Sequence, residues 1–336
     1  MENVDLDLTA SRRASIEEID AVYLWVDGRD KSFQKSINKY LPPAHSPIFG
    51  DSISARRFRN NGELKYSLRS LELYAPWIRR IFLVTNGQVP DWLDQSNPKI
   101  EVVPHDRLFP QRSDLPTFNS GAIELQLHRI SGLSRLFLYL NDDVFFGAQT
   151  TLDTFLLTDG SQRVFLQETL LHDRMDIGPV HDRSYAYTQQ VIVKNWGHRR
   201  PRLLPAHVPQ LYDKEVIAEI ERTIPGEFEK TVSHRFRSAN DLVLRIVYFH
   251  RILERERGNT VATILQEDTE DYYFAMLGRS NVTNLAQLMR IARLRPRFFC
   301  INDDVGDWMG PRLLLRALPC FLRAMFPNRS AYEVER

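Results

Sequence analysis

Residues 136–143 of this 336-residue chain read LFLYLNDD, and this stretch decides the fold class. Five apolar or aromatic residues in a row are typical of a buried β-strand, which here ends in Asn141, Asp142 and Asp143. The same pattern returns far along the chain, where residues 299–304 read FCINDD. A single copy would favour a strand followed by a turn, because Asn and Asp are common turn residues. Two copies after apolar runs favour a shared chemical role.

Four short apolar runs in the first half of the chain predict buried strands. These runs are Ala21 to Val26, Ile81 to Thr85, Ile100 to Val103 and Leu136 to Leu140. Segments with a helical period lie between them, and this alternation predicts an α/β fold with a largely parallel sheet flanked by helices. Ligands bind outside the carboxyl ends of the strands in such sheets. We therefore expect polar residues directly after strands, such as Asp27 and Asn86, to lie at a site.

Two helices are predicted between these strands. The first follows the polar residues 60–63 and ends before Pro76,. Its apolar positions are Leu64, Leu68 and Leu71. The second has Ser120 as its N-cap. Its apolar stripe comprises Ile123, Leu127 and Ile130,.

The second half of the chain is less regular. Residues 171–209 are rich in His and Arg and predict loops over a site,. Helices are predicted for Lys214 to Thr223 and for Ala239 to Glu256. We expect one catalytic domain over residues 1–336. It comprises a first α/β half at about 15–150, a second half with a helical and loop insertion at about 151–310, and a C-terminal helix and tail at 311–336,.

Composition narrows the class of protein. Lys and Arg number 44 against 43 Asp and Glu, a net charge of +1, so no nucleic-acid partner is indicated,. Only two cysteines are present, Cys300 and Cys320, which is typical of a reducing compartment,. Residues 1–14 lack the apolar core of a signal peptide, and no run approaches the roughly 18 apolar residues of a membrane span,. We therefore expect a cytoplasmic protein that is soluble or peripheral at the inner face of the membrane.

Several polar residues fit a phosphoryl-transfer site. Oxygen ligands after the two Asn-Asp-Asp strands suit Mg²⁺ or Mn²⁺, which neutralise a pyrophosphate. His207 stands between two prolines in residues 205–209, PAHVP, and suits a general base, although a lone histidine is more often structural,. Arg235 and Arg237 could clamp phosphate oxygens or belong to a solvated face.

The segment before the second predicted helix has two interpretations. Residues 115–120 read LPTFNS and lead into a helix that carries Glu124. They could shape a substrate pocket or form a plain helix-entry loop. Glycine-rich dinucleotide and phosphate-loop motifs are absent from the sequence, which disfavours dinucleotide oxidoreduction and P-loop ATP chemistry,.

These motifs resemble the four conserved blocks of the Stealth family, in order and over nearly the whole chain. That family comprises hexose-1-phosphoryltransferases of bacterial capsule synthesis and the Golgi N-acetylglucosamine-1-phosphotransferase of animals. The first two blocks resemble residues 19–30 and residues 57–70, the second continuing through 84–88, 115–120 and 139–143. The third block resembles residues 205–209 and 236–238, and the fourth resembles residues 300–303.

The resemblance implies a glycosyltransferase-A-like fold and roles for particular residues. The metal and pyrophosphate ligands it implies are Asp142, Asp143, Asn302 and Asp303. His207 and Arg237 are implied at the reacting phosphoryl group, with Asp143 beside them. We further expect substrate contacts from Asp27, Arg69, Asn86, Asn119, Glu124 and Arg235.

The expected reaction is transfer of a sugar-1-phosphate. An acceptor hydroxyl of an oligo- or polysaccharide, deprotonated by His207, attacks the β-phosphorus of a nucleotide-sugar such as a UDP-N-acetylhexosamine. UMP leaves and a phosphodiester forms, while Arg237 stabilises the charge. The resemblance also suggests peripheral association with membrane-bound capsule export machinery.

Two alternatives remain open from the sequence. A conventional metal-dependent glycosyltransferase would use the same metal site and release a nucleoside diphosphate. A non-catalytic glycan- or membrane-binding scaffold would use the basic, apolar segment Arg312 to Arg323 as an interfacial helix.

Overall fold

The computed structural model describes residues 18–41, 54–197, 201–255, 260–305 and 312–334, so the features expected of residues 1–14 lie outside the described residues. The strands in these ranges are β1 (Asp20–Leu24), β2 (Ile81–Thr85), β3 (Ile100–Pro104), β4 (Leu136–Asn141), β5 (Val144–Phe146), β6 (Gln162–Leu170), β7 (Leu203–Pro205), β8 (Gln210–Asp213), β9 (Thr260–Leu265), β10 (Tyr272–Leu277) and β11 (Phe298–Asp303). The α-helices are α1 (Lys31–Asn38), α2 (Glu63–Tyr74), α3 (Ser120–Glu124), α4 (Val180–Trp196), α5 (Lys214–Thr223), α6 (Pro225–Ser233), α7 (Leu244–Leu253), α8 (Asn281–Leu294) and α9 (Arg312–Met325).

A five-stranded sheet in the order β3-β2-β1-β4-β8 forms the centre of the fold. Its first four strands are parallel, and only β8 runs antiparallel, against β4. Two smaller sheets have the orders β10-β11-β5 and β7-β6-β9. The predicted α/β class with a largely parallel sheet flanked by helices is therefore confirmed.

The central sheet is buried on both faces, as its continuous apolar runs require. Val22 and Phe82 point into one cluster, which contains buried residues of α4 through α7. Ala21, Tyr23 and Leu83 point into the opposite cluster, which contains the apolar residues of α2. The alternation along β1 and β2 follows from the two-residue period of a strand.

The helices predicted from the sequence agree with the structure unevenly. Helix α2 and helix α5 match their predictions, since α2 ends before Pro76 and α5 has the predicted bounds. The predicted helix from Ala239 to Glu256 is shorter, because α7 covers only Leu244–Leu253. The stretch at 171–209 is not only loops, since it contains the 17-residue helix α4.

The predicted helix after residue 119 was wrong in both its cap and its length. Asn119, rather than Ser120, is the N-cap, and its side chain accepts from the N–H of Gly121 at 3.0 Å. Helix α3 then ends at Glu124, and a separate short 3-10 turn covers Leu127–Arg129. The apolar stripe of Ile123, Leu127 and Ile130 therefore continues although the backbone changes from an α-helix to a 3-10 turn.

A buried ion pair joins α2 to the last described residues. Arg69 Nε and Nη2 donate to the two carboxylate oxygens of Glu333 at 2.6 and 2.8 Å, and Nη1 donates to the carbonyl of Phe326 at 2.8 Å. The two side chains are 9% and 2% exposed. These contacts give Arg69 a structural role, and the substrate contact expected from the sequence stays a prediction.

The pKa of Glu333 reflects this pairing. Burial alone would raise the pKa of this carboxyl, but hydrogen bonds from Arg69 and from the N–H of Ser330, with the charges of Arg69 and Lys65, lower it to about 2. The folded pKa therefore lies below the ordinary value of 4.5. The pair stabilises the fold fully above that ordinary value, and the contribution is lost as the pH falls toward 2,.

We expect Arg69→Met to lower the free energy of unfolding by about 3–5 kcal/mol, because it leaves a buried carboxylate without its main partner. Glu333→Leu should cost a similar amount, and the double variant should cost much less than the sum. Urea unfolding of the four proteins measures the coupling energy, with Arg293→Met on the exposed face of α8 as the control. Costs that add would contradict the pairing, as would a coupling that survives acidification to about pH 2.

Candidate active site

Polar residues gather where the adjacent strands β2, β1 and β4 reach their carboxyl ends. Asp27 follows β1, and its carboxylate accepts from Asn60 Nδ2 at 2.9 Å while its backbone N–H donates to Gln88 Oε1 at 2.7 Å. Asn86 follows β2 and is exposed, and Asn141 is the last residue of β4. The edge predicted from the strand pattern is therefore present.

The two Asn-Asp-Asp segments meet at this edge. Asp142 and Asp143 form the turn between β4 and β5, and β5 pairs with β11 in antiparallel register. The N–H of Ile301 in β11 donates to the carbonyl of Asp143 at 3.0 Å. Asn302 and Asp303 end β11, so residues more than 150 positions apart contribute to one cluster.

Glu63 adds a third buried carboxyl to this cluster. It is the first residue of α2, and its carboxylate accepts from the N–H and from Nδ2 of Asn61, both at 2.7 Å. Burial is the main cause that raises its pKa to about 7. Burial raises the pKa of Asp143 to about 6, with a further contribution from the charge of Asp303. Burial and the charges of Asp143 and Glu63 raise the pKa of Asp142 well above its usual range.

This donor set fits a hard divalent cation. Asp143 Oδ1 is buried and has no hydrogen-bond partner among the described residues, so one carboxylate oxygen is available for a ligand. Carboxylate and amide oxygens from Asp142, Asp143 and Asn302 are the donors that Mg²⁺ and Mn²⁺ prefer. Burial is the main cause of the raised pKa values, and the nearby negative charges add to it, so a cation would favour the ionised carboxylates,.

Three further residues lie beside this set. One of them, Asp303, was expected as a metal ligand, and the other two, Cys300 and His207, were not. Asp303 is already paired, because Arg59 Nη1 donates to its two oxygens at 2.9 and 2.7 Å. Cys300 and His207 each place one ligand atom within 4.8 Å of a carboxylate oxygen of Asp143. Burial raises the pKa of the Cys300 thiol well above its usual range, so the thiol keeps its proton at neutral pH and donates to Asp143 Oδ2 at 3.5 Å.

His207 lies between β7 and β8 and contacts the acidic cluster on one side and a group of basic and aromatic residues on the other. Its Nε2 lies 3.0 Å from Asn141 Nδ2, and its Nδ1 lies 3.1 Å from Arg245 Nη1. Burial, followed by the charges of Arg245 and Arg237, lowers the pKa of His207 to about 3. The imidazole is therefore neutral at physiological pH, and its pKa is far from the value of about 6.5 expected from sequence.

Two arginines stand beside His207. Arg237 donates from Nη2 to the hydroxyl of Ser120 at 2.6 Å, and Arg245 donates from Nη2 to the hydroxyl of Tyr185. Both positive charges act on Glu124, whose pKa is nevertheless raised because burial outweighs them. The structure thus brings Arg237 and Glu124, both expected at the site, together with His207.

The remaining predicted residues hold the loop before α3. Arg235 donates to the carbonyl of Pro116 at 2.6 Å, and its guanidinium lies 4.4 Å from the centre of the Tyr40 ring. Asn119 is fully buried, and its Nδ2 donates to Asp241 Oδ2 at 2.9 Å. Asn119 therefore has a structural role as N-cap and partner of Asp241, and its expected substrate contact stays a prediction. Roles for Arg235, Asp27 and Asn86 stay predictions.

Several residues at the site were missed by sequence reasoning. Arg245 is one charged residue in the apolar run of α7, and an arginine in such a run is a signal of a buried partner,. Glu63 was treated as a polar helix start, and Cys300 as an indicator of compartment. Arg59 carries no signal by itself, because its partner lies 244 residues away in sequence.

The fold and the site together define an α/β protein with two polar groups at the carboxyl edge of a largely parallel sheet. We call Glu63, Asp142 and Asp143 the carboxylate cluster, and His207, Arg237 and Arg245 the histidine-arginine group. Models of the four conserved regions of the Stealth proteins match the chain: region 1 at residues 17–42, region 2 at 57–164, region 3 at 206–254 and region 4 at 289–336. The chain belongs to the Stealth family.

Curated relatives are similar over most of this chain. An exopolysaccharide phosphotransferase of Streptomyces coelicolor is 35% identical over 318 residues, which cover 94% of this chain and 52% of the relative. The capsular polysaccharide phosphotransferase SacB of Neisseria meningitidis serogroup A is 32% identical over 320 residues, 94% of this chain and 57% of the relative. The chain thus spans about half the length of these relatives. A solved structure of the galactosyltransferase LgtC is similar at a TM-score of 0.45 and 11% identity, covering 93% of this chain and 98% of LgtC.

The raised pKa values predict that the carboxyls of the site lower the stability of the metal-free protein when they ionise. Because the folded pKa of Asp143, about 6, lies above the ordinary 3.8, the metal-free protein loses stability as the pH rises through this window,. We expect Asp143→Asn to raise the thermal midpoint of the metal-free protein by several degrees above pH 6,. Adding Mg²⁺ should stabilise the wild type and leave this variant unchanged.

Thermal unfolding with chelator and with Mg²⁺ makes both measurements. Glu229→Gln, an exposed carboxylate on α6, is the matched control and should behave as the wild type. A lower midpoint for Asp143→Asn, or an equal Mg²⁺ response in both proteins, would contradict a cation site at Asp143.

Proposed function

We propose that this chain transfers a sugar-1-phosphate from a nucleotide-sugar to a hydroxyl of a glycan acceptor and releases a nucleoside monophosphate. The observation that carries the proposal is the position of Asn141, which joins the carboxylate cluster to the histidine-arginine group at one sheet edge. Family membership supports it, since relatives of this chain carry the names exopolysaccharide and capsular polysaccharide phosphotransferase.

The carboxylate cluster would bind the donor through its pyrophosphate. Asp142 and Asp143 would carry the charge that a divalent ion needs, and the side chain of Asn302 hydrogen-bonds Asp143 beside them. A bound Mg²⁺ or Mn²⁺ would neutralise the pyrophosphate and the leaving phosphate. Arg59 keeps Asp303 in place at the end of β11, so Asp303 serves the site by orienting this edge as well as by its charge.

The histidine-arginine group would bind the transferring phosphoryl group. Phosphoryl transfer depends on positioning and on charge stabilisation, which preorganised arginines supply. Arg237 is held by Ser120, and Arg245 is held by Tyr185, so both guanidinium groups are oriented before substrate binds. The neutral His207 adds a polar ring beside Arg245 without adding positive charge.

The acceptor, the nucleotide and the cellular setting are proposed from the family. The relatives' names, exopolysaccharide and capsular polysaccharide phosphotransferase, support an oligo- or polysaccharide acceptor. The UDP-N-acetylhexosamine donor, the cytoplasmic location and the association with capsule export machinery are proposed from the resemblance in sequence alone. Among the residues that the structure describes, each helix is too short or too polar to cross a bilayer.

Product analysis tests the reaction itself. Purified protein with Mg²⁺, a nucleotide-sugar and an oligosaccharide primer should release a nucleoside monophosphate and give a phosphodiester resonance in the phosphorus NMR spectrum. Asp143→Asn should give neither. Release of a nucleoside diphosphate with a phosphate-free product would instead identify a glycosyltransferase, and binding of glycan without turnover would identify a scaffold.

A second prediction separates a bidentate clamp from a simple positive charge at Arg237. We expect Arg237→Lys to lose about 10²- to 10³-fold in turnover, nearly as much as Arg237→Ala, because an ammonium cannot replace two parallel N–H donors. Arg222→Lys, on the exposed face of α5, is the control. A lysine variant that keeps most of the turnover would show that charge alone suffices.

A further inference from the structure

Both ring nitrogens of His207 face nitrogen donors. Arg245 Nη1 lies 3.1 Å from Nδ1, and the amide nitrogen of Asn141 lies 3.0 Å from Nε2. A neutral imidazole has one nitrogen that accepts and one that donates, so it cannot accept from both partners. In one of the two contacts the ring nitrogen must therefore donate, and its partner must accept.

The guanidinium settles which contact this is. Arginine has only donors and keeps its proton in proteins, so Nδ1 of His207 must be the acceptor. The amide of Asn141 can turn by half a rotation, which exchanges its oxygen and nitrogen. Nε2 then carries the proton and donates to Asn141 Oδ1.

The rotated amide also satisfies the next residues along the chain of contacts. Before this rotation Asn141 Oδ1 lies 2.9 Å from the hydroxyl of Tyr139. After it, the amide N–H donates to that hydroxyl oxygen, and the hydroxyl donates a hydrogen bond to the neighbouring carboxyl of Glu124. Every donor from Arg245 to Tyr139 then has an acceptor, whereas the other orientation would require an imidazole that accepts at both nitrogens.

We propose that Arg245 and Asn141 are positioning residues that fix His207 as the tautomer with its proton on Nε2. Both ring nitrogens of His207 are then engaged, Nδ1 by Arg245 and Nε2 by Asn141. Given the proposed function, His207 therefore does not remove the acceptor's proton in this arrangement and instead holds Asn141 and Arg245 in place beside the phosphoryl group. This replaces the general-base role predicted from the sequence and leaves deprotonation to another group.

The tautomer can be observed without substrate or turnover. Protein labelled with ¹⁵N-histidine gives distinct NMR signals for protonated and unprotonated ring nitrogens, and the His207→Gln variant identifies the His207 signals among the nine histidines. We expect an unprotonated Nδ1 and a protonated Nε2 in the wild type at neutral pH. A proton on Nδ1 would overturn the proposal.

Variants of α7 test whether Arg245 determines the tautomer of His207. Arg245→Met should shift His207 toward a mixture of tautomers, whereas Arg251→Met on the same helix, whose guanidinium stacks over the Trp196 ring, should leave the wild-type signals unchanged. An Arg245→Met spectrum identical to the wild type would overturn the role of Arg245. If this variant does not fold, the wild-type spectrum still decides the tautomer.

Activity tests the hydrogen bond from Nε2. A glutamine amide can present an N–H to Asn141 Oδ1 near the position of Nε2, so His207→Gln should keep about tenfold more turnover than His207→Ala, the value of one hydrogen bond. Equal loss in both variants would overturn the requirement for this hydrogen bond. Failure of the wild type to form any phosphodiester would overturn the proposed function alone, because the NMR result does not depend on it.

Discussion

The antiparallel pairing of β5 with β11 is the constraint on which the site depends. It fastens the turn after β4 to the end of a strand that begins at residue 298, and so places two distant Asn-Asp-Asp segments in contact. Without this pairing the central sheet would still have a polar edge, but Asn302 and Asp303 would not lie beside Asp142 and Asp143. The ladder of β5 with β11 thus joins the second half of the chain to the first at the site, as the pairing of β8 with β4 does within the central sheet.

That pairing has an electrostatic cost which the rest of the fold offsets. Asp142, Asp143 and Glu63 lie near one another, and burial together with nearby negative charge raises their pKa values. Two other buried carboxylates are paired: Arg69 donates to Glu333 at 2.6 Å, and Arg202 donates to Glu254 at 2.7 Å. The carboxyls of the site are therefore groups that a bound cation would stabilise.

The sequence predicted the parts of the fold that depend on local pattern. Strand β2 was predicted to the residue because Ile81–Thr85 is a pure apolar run, and the Asp142–Asp143 turn because Asp follows such a run directly. It could not predict pairings across long separations, so Arg69 was expected at the substrate although its partner is Glu333. Helix α4 was missed because its buried face includes polar residues and so shows no clear apolar pattern. Arg245 was missed because an arginine in a largely apolar helix does not reveal which residue it contacts.

Strand β4 explains why one element can serve both the core and the site. Leu138 and Leu140 point into the cluster beside α2, whereas Tyr139 and Asn141, in the alternating register, belong to the side that carries His207. The two-residue period that buries the strand therefore also aligns a hydroxyl and an amide in a row. That row ends on the imidazole of His207, whose Nδ1 lies 3.1 Å from the guanidinium of Arg245, so one face of β4 aligns the side chains that reach this histidine. The next residues, Asp142 and Asp143, then leave the strand toward the carboxylate cluster, so the same short segment orients both halves of the site.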